Sequence, residues 1–343
     1  MSGDYLWDRS GPPDINVARL ERVLGTLRQQ EPPPPLRAPL RPTASGRPLS
    51  FFLALAATAA LVVALVGLSW QSEFESMPGL DVTRLAGTPT VGSRPVADHR
   101  ELRVGRWLET DAHARASIDV ADVGRVEVEP STRLGLLSTR PGDYRLQLER
   151  GTMHALIWAP PGQFFVQTSS STAVDLGCSY TMTMDDDGTG LVRVTSGWVG
   201  FEWHKRESFI PAGAVCITRR GLGPGTPHYE DTSDAFRAAL ETLDLNNGSA
   251  EVKAAALDRV LAEAREHDVV TLWHLLARVD ADQRGRVFDR LAQFVAAPPG
   301  VTRQGIGAGR REMLDEWWDA LGLGTASWWR TWKQQWRDNG SAR

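Results

Sequence analysis

Four hydrophobic patterns follow one another along this chain. Within residues 1–30, Val17, Leu20, Val23, Leu24 and Leu27 recur at intervals of three and four, with Arg19, Glu21, Arg22 and Arg28 on the other face. That is the spacing of a short amphipathic helix, with Asp14 as its N-cap. Residues 51–70, FFLALAATAALVVALVGLSW, carry no charge; a helix of that length spans about 30 Å, the hydrocarbon thickness of a bilayer. From residue 101 to about 220, nearly every ten residues hold a short alternating run closed by Gly, Pro or Asp. This predicts about a dozen strands in an all-β sandwich, jelly roll or β-solenoid. Val126, Val128, Leu146, Leu148, Val192 and Val194 are expected on one face, with Arg125, Glu127, Arg145 and Arg193 on the other. Beyond residue 226 the helical period returns. Ser233 caps a run holding Phe236, Leu240 and Leu243, continued by Leu257, Val260, Leu272, Leu275, Leu276, Val287 and Leu291, and a stack of short antiparallel helices is expected.

These patterns divide the chain into a tail (1–30), a linker stiffened by seven prolines (31–48), a transmembrane helix (49–70), a stalk (71–100), a β domain (101–226) and a helical domain (227–343). A cleaved signal peptide would be shorter and nearer the start than the run at 51–70. A core helix would need a neighbour to bury it, and the first hundred residues offer none. Arg37, Arg41 and Arg47 precede the run and Glu73 and Glu75 follow it, so the tail is expected in the cytoplasm and the larger part outside. Ala54, Ala56, Ala57, Ala59 and Ala60 could bring two such helices together, which leaves a homodimer open.

Composition narrows the function classes. A net charge of −4 over 343 residues, with seven arginines in the first 48, provides no basic field for nucleic acid. The two cysteines, Cys178 and Cys216, fall in the part placed outside. A disulfide between them would close a loop of about 38 residues and contribute about 3–4 kcal/mol; the other reading is two unconnected buried thiols. No nucleophile elbow, P-loop, HExxH or dinucleotide fingerprint occurs, so no catalytic, cofactor or metal residue is assigned. Asp185, Asp186 and Asp187 before Gly188 read as a hairpin turn. His267 and His274 stand two helical turns apart and receive no role. Asp175 reads as a structural hydrogen-bond acceptor. Tyr5 and Trp7, with Val17, Leu20, Leu24 and Leu27, are the candidate partner-binding surface of the tail. Trp328, Trp332 and Trp336 share one helical face, expected to pack against Trp317 and Trp318.

Several blocks resemble a known family: GRWLETDAHARASIDVADVG (105–124), VEVEP (126–130), RGTMHALIWAPPGQF (150–164), DLGCSYTM (175–182) and SGWVGF (196–201). Together they are similar to the periplasmic FecR domain, in the order in which that domain carries them, over about 120 residues. The resemblance implies an all-β sensory domain in the bacterial periplasm. It also implies, as partners, a cytoplasmic sigma factor or other regulator and an outer-membrane or other envelope protein. The tail has one short helix where such regulators have a longer segment, and the chain after Thr226 is helical where transporter-coupled members mix α and β.

The expectation is therefore a single-pass inner-membrane regulator, an anti-sigma factor or similar, that is not an enzyme. The alternative is an anchored envelope scaffold that binds peptidoglycan, a polysaccharide or another envelope protein.

Overall fold

The computed structural model describes residue 18 and residues 78–204, 206–245 and 248–322; all but residue 18 belong to one compact unit, Gly67–Arg343. The tail surface of Tyr5, Trp7, Val17, Leu20, Leu24 and Leu27, the proline linker, the apolar run 51–70 and the tryptophans after 322 lie outside the described residues. Among the described residues no helix is long and apolar enough to cross a membrane.

Among the described residues eighteen strands form two sheets that share one long strand. The first sheet runs in the order β4 (His99–Leu102), β1 (Leu80–Ala86), β6 (Arg115–Val120), β7 (Gly124–Val128), the second half of β9 (Asp143–Ile157), β12 (Ser179–Met184), β13 (Gly190–Ser196) and β16 (Ala214–Arg219). The short strands β17 (Gly223–Pro224) and β18 (His228–Tyr229) close it. The second sheet runs β3 (Arg94–Pro95), β2 (Thr90–Val91), β5 (Trp107–Glu109), β8 (Arg133–Arg140), the first half of β9, β10 (Phe164–Gln167), β11 (Thr172–Asp175), β14 (Trp198–Trp203) and β15 (Arg206–Pro211). All pairs are antiparallel except β9 with β10.

Alternation decides which residues the sheets bury. Val82, Ile118, Val126, Ala155, Tyr180 and Val194 stand opposite one another across the first sheet, and Leu136, Leu146, Val166, Ala173 and Phe201 across the second. Both rows are buried in one hydrophobic cluster, so the architecture is a two-sheet sandwich. The predicted inward set of Val126, Val128, Leu146, Leu148, Val192 and Val194 is buried. Burying each such side chain contributes about 1.5–3 kcal/mol.

β9 changes sheets at one residue. Up to Arg150 it pairs with β8, and from Gly151 onward with β12. Gly151 has φ +90°, and a Cβ there would stand 2.3 Å from Thr132 Oγ1 and 2.4 Å from Thr132 Cα. Only glycine fits both the backbone and the contact.

Six α-helices follow among the described residues: α1 (Asp234–Asp244), α2 (Ala250–Glu263), α3 (Val269–Leu276), α4 (Arg284–Phe294), α5 (Arg303–Gly307) and α6 (Arg311–Ala320). The Ser233 hydroxyl accepts from Phe236 N–H at 3.0 Å and starts α1, as its N-cap position predicts. Helix α3, VVTLWHLL, is buried at all eight positions, as a helix that is apolar nearly all round must be. Trp318 of α6 packs on Trp273, Phe209 and Trp198, with ring centroids 4.5, 5.1 and 6.0 Å away, and joins the helices to the second sheet.

Two expectations need correction. The segment 71–100 is not a stalk throughout: β1 to β3 and the start of β4 lie in it, and β1 pairs with β4 and β6 inside the first sheet. Leu80 and Val82 are its only fully buried strand residues before Val91, too few to show a period. Cys178 and Cys216 are not bridged but are free, buried thiols. Cys216 pairs with Val192, which pairs with Met182, four residues beyond Cys178. Two strand spacings and four residues of rise separate the thiols by roughly 15 Å, far beyond disulfide reach.

Candidate functional site

β15 is the last strand of the second sheet, and an edge strand leaves every other N–H and C=O without a ladder partner. Here α3 and the residues after it supply partners. Phe209 N–H donates to His274 Nε2 at 2.9 Å, and Glu207 C=O accepts from Arg278 Nη2 at 2.8 Å. An amide can only donate, so His274 Nε2 is the acceptor and Nδ1 carries the proton, which goes to Val270 C=O at 2.7 Å. Thr271, the other polar residue of α3, donates to Pro227 C=O at 2.8 Å.

Around Arg278 a buried polar network ties four parts of the chain. Its guanidinium donates to Thr226 Oγ1 at 2.8 Å, Ser208 Oγ at 2.7 Å and Asp244 Oδ1 at 3.5 Å. Asp244 also accepts from Arg206 at 2.7 Å, from the Thr226 hydroxyl at 2.8 Å and from Thr226 N–H at 2.5 Å. A carboxylate in the last turn of α1 opposes the helix dipole, and two guanidinium groups offset that. Burial pulls the Arg278 pKa down to about 10, with Asp244 acting against it. Cys216 sits below, donating to Gly225 C=O at 3.2 Å, and burial pushes its thiol up to about 12.

Above this network opens a cleft of about 260 Å³ between β16–β17 and α1. Ile217 and Leu222 line it from the strand side, Leu240 and Leu245 from α1 and its C-terminal end, and Arg206 and Asp244 belong to the same lining. Gly225 belongs to the same lining, and a Cβ there would approach Asp244 Oδ2 to 2.8 Å and Ile217 O to 3.0 Å. The ion pair of Arg219 with Glu241 crosses from β16 to α1. The cleft therefore has walls from both parts of the chain, and anything occupying it touches both.

A second buried polar group lies at the end of β11. Asp175 Oδ1 accepts from Gly177 N–H at 2.7 Å and Oδ2 from the Cys178 thiol at 2.6 Å. Burial raises the Asp175 pKa to about 7 against these hydrogen bonds. Burial, and then the neighbouring Asp175 charge, push the Cys178 thiol far up, so it is no nucleophile.

Of the residues singled out from sequence, Cys178 and Cys216 lie in these two separate groups. Asp175 is the acceptor expected of it. Asp185 to Gly188 form the β12–β13 turn: Gly188 N–H donates to Asp185 C=O at 3.0 Å, and Gly188 has φ +83°. His267 stacks on Tyr229 with ring centroids 3.6 Å apart, away from His274. Among the described residues no three His, Cys, Asp or Glu side chains are placed to share a metal ion. Arg206, Asp244 and Arg278 gave no signal in the sequence, since each is one charged residue among many, separated from the others by dozens of positions.

No protein-family profile and no curated protein sequence matches the chain. Two crystal structures of a "putative anti-sigma factor" from Parabacteroides distasonis match it in part. Each is 16% identical, over 40% of this chain and 64% of that one, with TM-scores of 0.32 and 0.33. The match thus spans less than two thirds of those chains.

Proposed function

We propose that this protein is a single-pass, membrane-anchored regulator of the FecR kind, in which the β sandwich and its helices receive a signal outside the membrane. The observation that carries the reading is the cleft between β16–β17 and α1. Its two walls come from different parts of the fold, so an occupant alters their relation, as a receptor requires. The charge-free run 51–70 supplies the anchor, and Val17, Leu20, Leu24 and Leu27 the inward-facing stripe for a sigma factor or other cytoplasmic regulator. The reading is of a binding protein rather than an enzyme.

The test is a pair of substitutions on the tail, Leu20→Asp with Leu24→Asp, read by transcription from sigma-dependent reporters. A change in one sigma-dependent output, with the protein still at the membrane, supports the regulator. Unchanged output from every reporter defeats it. The envelope-scaffold reading draws support from Leu156 of β9 and Trp158 just beyond its end, which stand 54% and 60% exposed. Pull-down of envelope material that is lost on Trp158→Ala, with sigma-dependent outputs unmoved, would select that reading.

A further inference from the structure

We infer that the cleft between β16–β17 and α1 binds a small aliphatic carboxylate, its chain between the two apolar walls and its anionic head toward Arg206. The inference rests on the cleft being the protein's ligand site and adds the chemistry of the ligand.

Charge comes first. Two guanidinium groups, Arg206 on the lining and Arg278 outside it, share the single carboxylate of Asp244. The other pairs of the lining, Arg219 with Glu241 and Arg237 with Asp234, are each balanced. One positive charge is therefore left over around Asp244, shared between Arg206 on the lining and the buried Arg278, and a buried uncompensated charge is costly. Donor capacity is left over as well. Arg206 gives one N–H to Asp244, and its side chain stays 27% exposed on the lining. Arg278 is already occupied by Thr226, Ser208, Glu207 and Asp244, so Arg206 is the group with room for a second anion. A guanidinium that holds one carboxylate at one edge can offer its remaining N–H groups to another.

The walls set the rest of the ligand. Ile217, Leu222, Leu240 and Leu245 offer carbon on both sides, and a chain between them loses its apolar hydration without leaving a polar group unpaired. A phosphate or sulfate alone would leave these walls empty. A fatty alcohol would leave the Arg206 charge unanswered.

The probe is radiolabelled hexanoate, measured by equilibrium dialysis against the full-length protein in lipid nanodiscs, with empty nanodiscs as blank. One saturable equivalent per chain is expected, with hexanol and hexylamine competing at least tenfold more weakly. Arg206→Gln is expected to weaken binding at least tenfold. If that variant does not fold, Leu222→Asp serves: Leu222 is 41% exposed at the lining, so the fold tolerates the change while the new carboxylate repels the ligand. Its melting temperature should stay that of the unmodified protein and its hexanoate affinity should fall tenfold. No saturable hexanoate, equal competition by hexanol, or undiminished binding in Leu222→Asp overturns the assignment. Preference for a leucine-terminated peptide over hexanoate also overturns it, in favour of a protein partner. Failure here with the tail variants still shifting sigma-dependent output would remove the ligand class and leave the regulator standing.

Discussion

Phe209 N–H and His274 Nε2, 65 residues apart in sequence, meet at 2.9 Å in the buried joint between the second sheet and α3. An imidazole here takes the place of a neighbouring strand. With Arg278 on Glu207 C=O, it satisfies the edge that β15 would otherwise present to other chains. The sandwich and the helices are thus joined by polar bonds as well as by Trp318 and its aromatic neighbours.

Replacing His274 by Phe preserves most of the ring volume and removes the Nε2 acceptor of the buried Phe209 N–H. The expected loss is about 1–3 kcal/mol, read by urea denaturation. An unchanged midpoint would mean that the bond contributes nothing to the joint.

Asp244→Ala is expected to destabilise by about 3–5 kcal/mol, because Arg206 and Arg278 are left facing each other with no carboxylate between them. Adding Arg278→Met to Asp244→Ala should cost less than the sum of the single changes, since the double variant removes one of the two stranded charges. Strict additivity in a double-mutant cycle would refute the network.

Asp175 makes stability depend on pH. Its pKa rises from 3.8 to about 7 on folding, so the folded chain holds this proton more tightly than the unfolded chain. The resulting stabilisation is complete below about pH 4 and is lost as pH rises through 7, up to about 4 kcal/mol in order of magnitude. Asp175→Asn should flatten this dependence and exceed the unmodified protein in stability at pH 8. Parallel curves of unfolding free energy against pH for the two proteins would refute the assignment.

Gly151→Ala places a methyl group against Thr132 and demands φ +90° of a residue that avoids it. A loss of at least about 1–3 kcal/mol is expected from the backbone alone. The same change at Gly142, where nothing stands within 4 Å of the added Cβ although φ is also positive, should cost less. Equal melting temperatures for the two variants would mean that the contact with Thr132 does not constrain the sheet crossing.

The residues after 101 state their local structure plainly. Alternation in segments such as Arg125 to Val128 or Leu191 to Val194 names the buried face because side chains in a strand must point to opposite sides. Ser233 three residues before Phe236 announces α1 because a hydroxyl there takes an otherwise orphaned amide. Local pattern is less informative where a strand buries few residues: of the seven in β1 only Leu80 and Val82 are buried, too few to show a period, and its place in the first sheet depends on β4 and β6.

What the chain determines by itself, then, is the kind of element at most positions, because strand alternation, helical spacing and caps are interactions between residues a few places apart. Which elements meet was decided only by the tertiary structure. Cys178 and Cys216 are kept apart by two strand crossings that no spacing encodes, and Arg206, Asp244 and Arg278 converge only because β15, α1 and the end of α3 are packed together. Contacts between distant residues depend on the whole arrangement of the core, and a buried arginine looks, in one dimension, like any arginine on the surface.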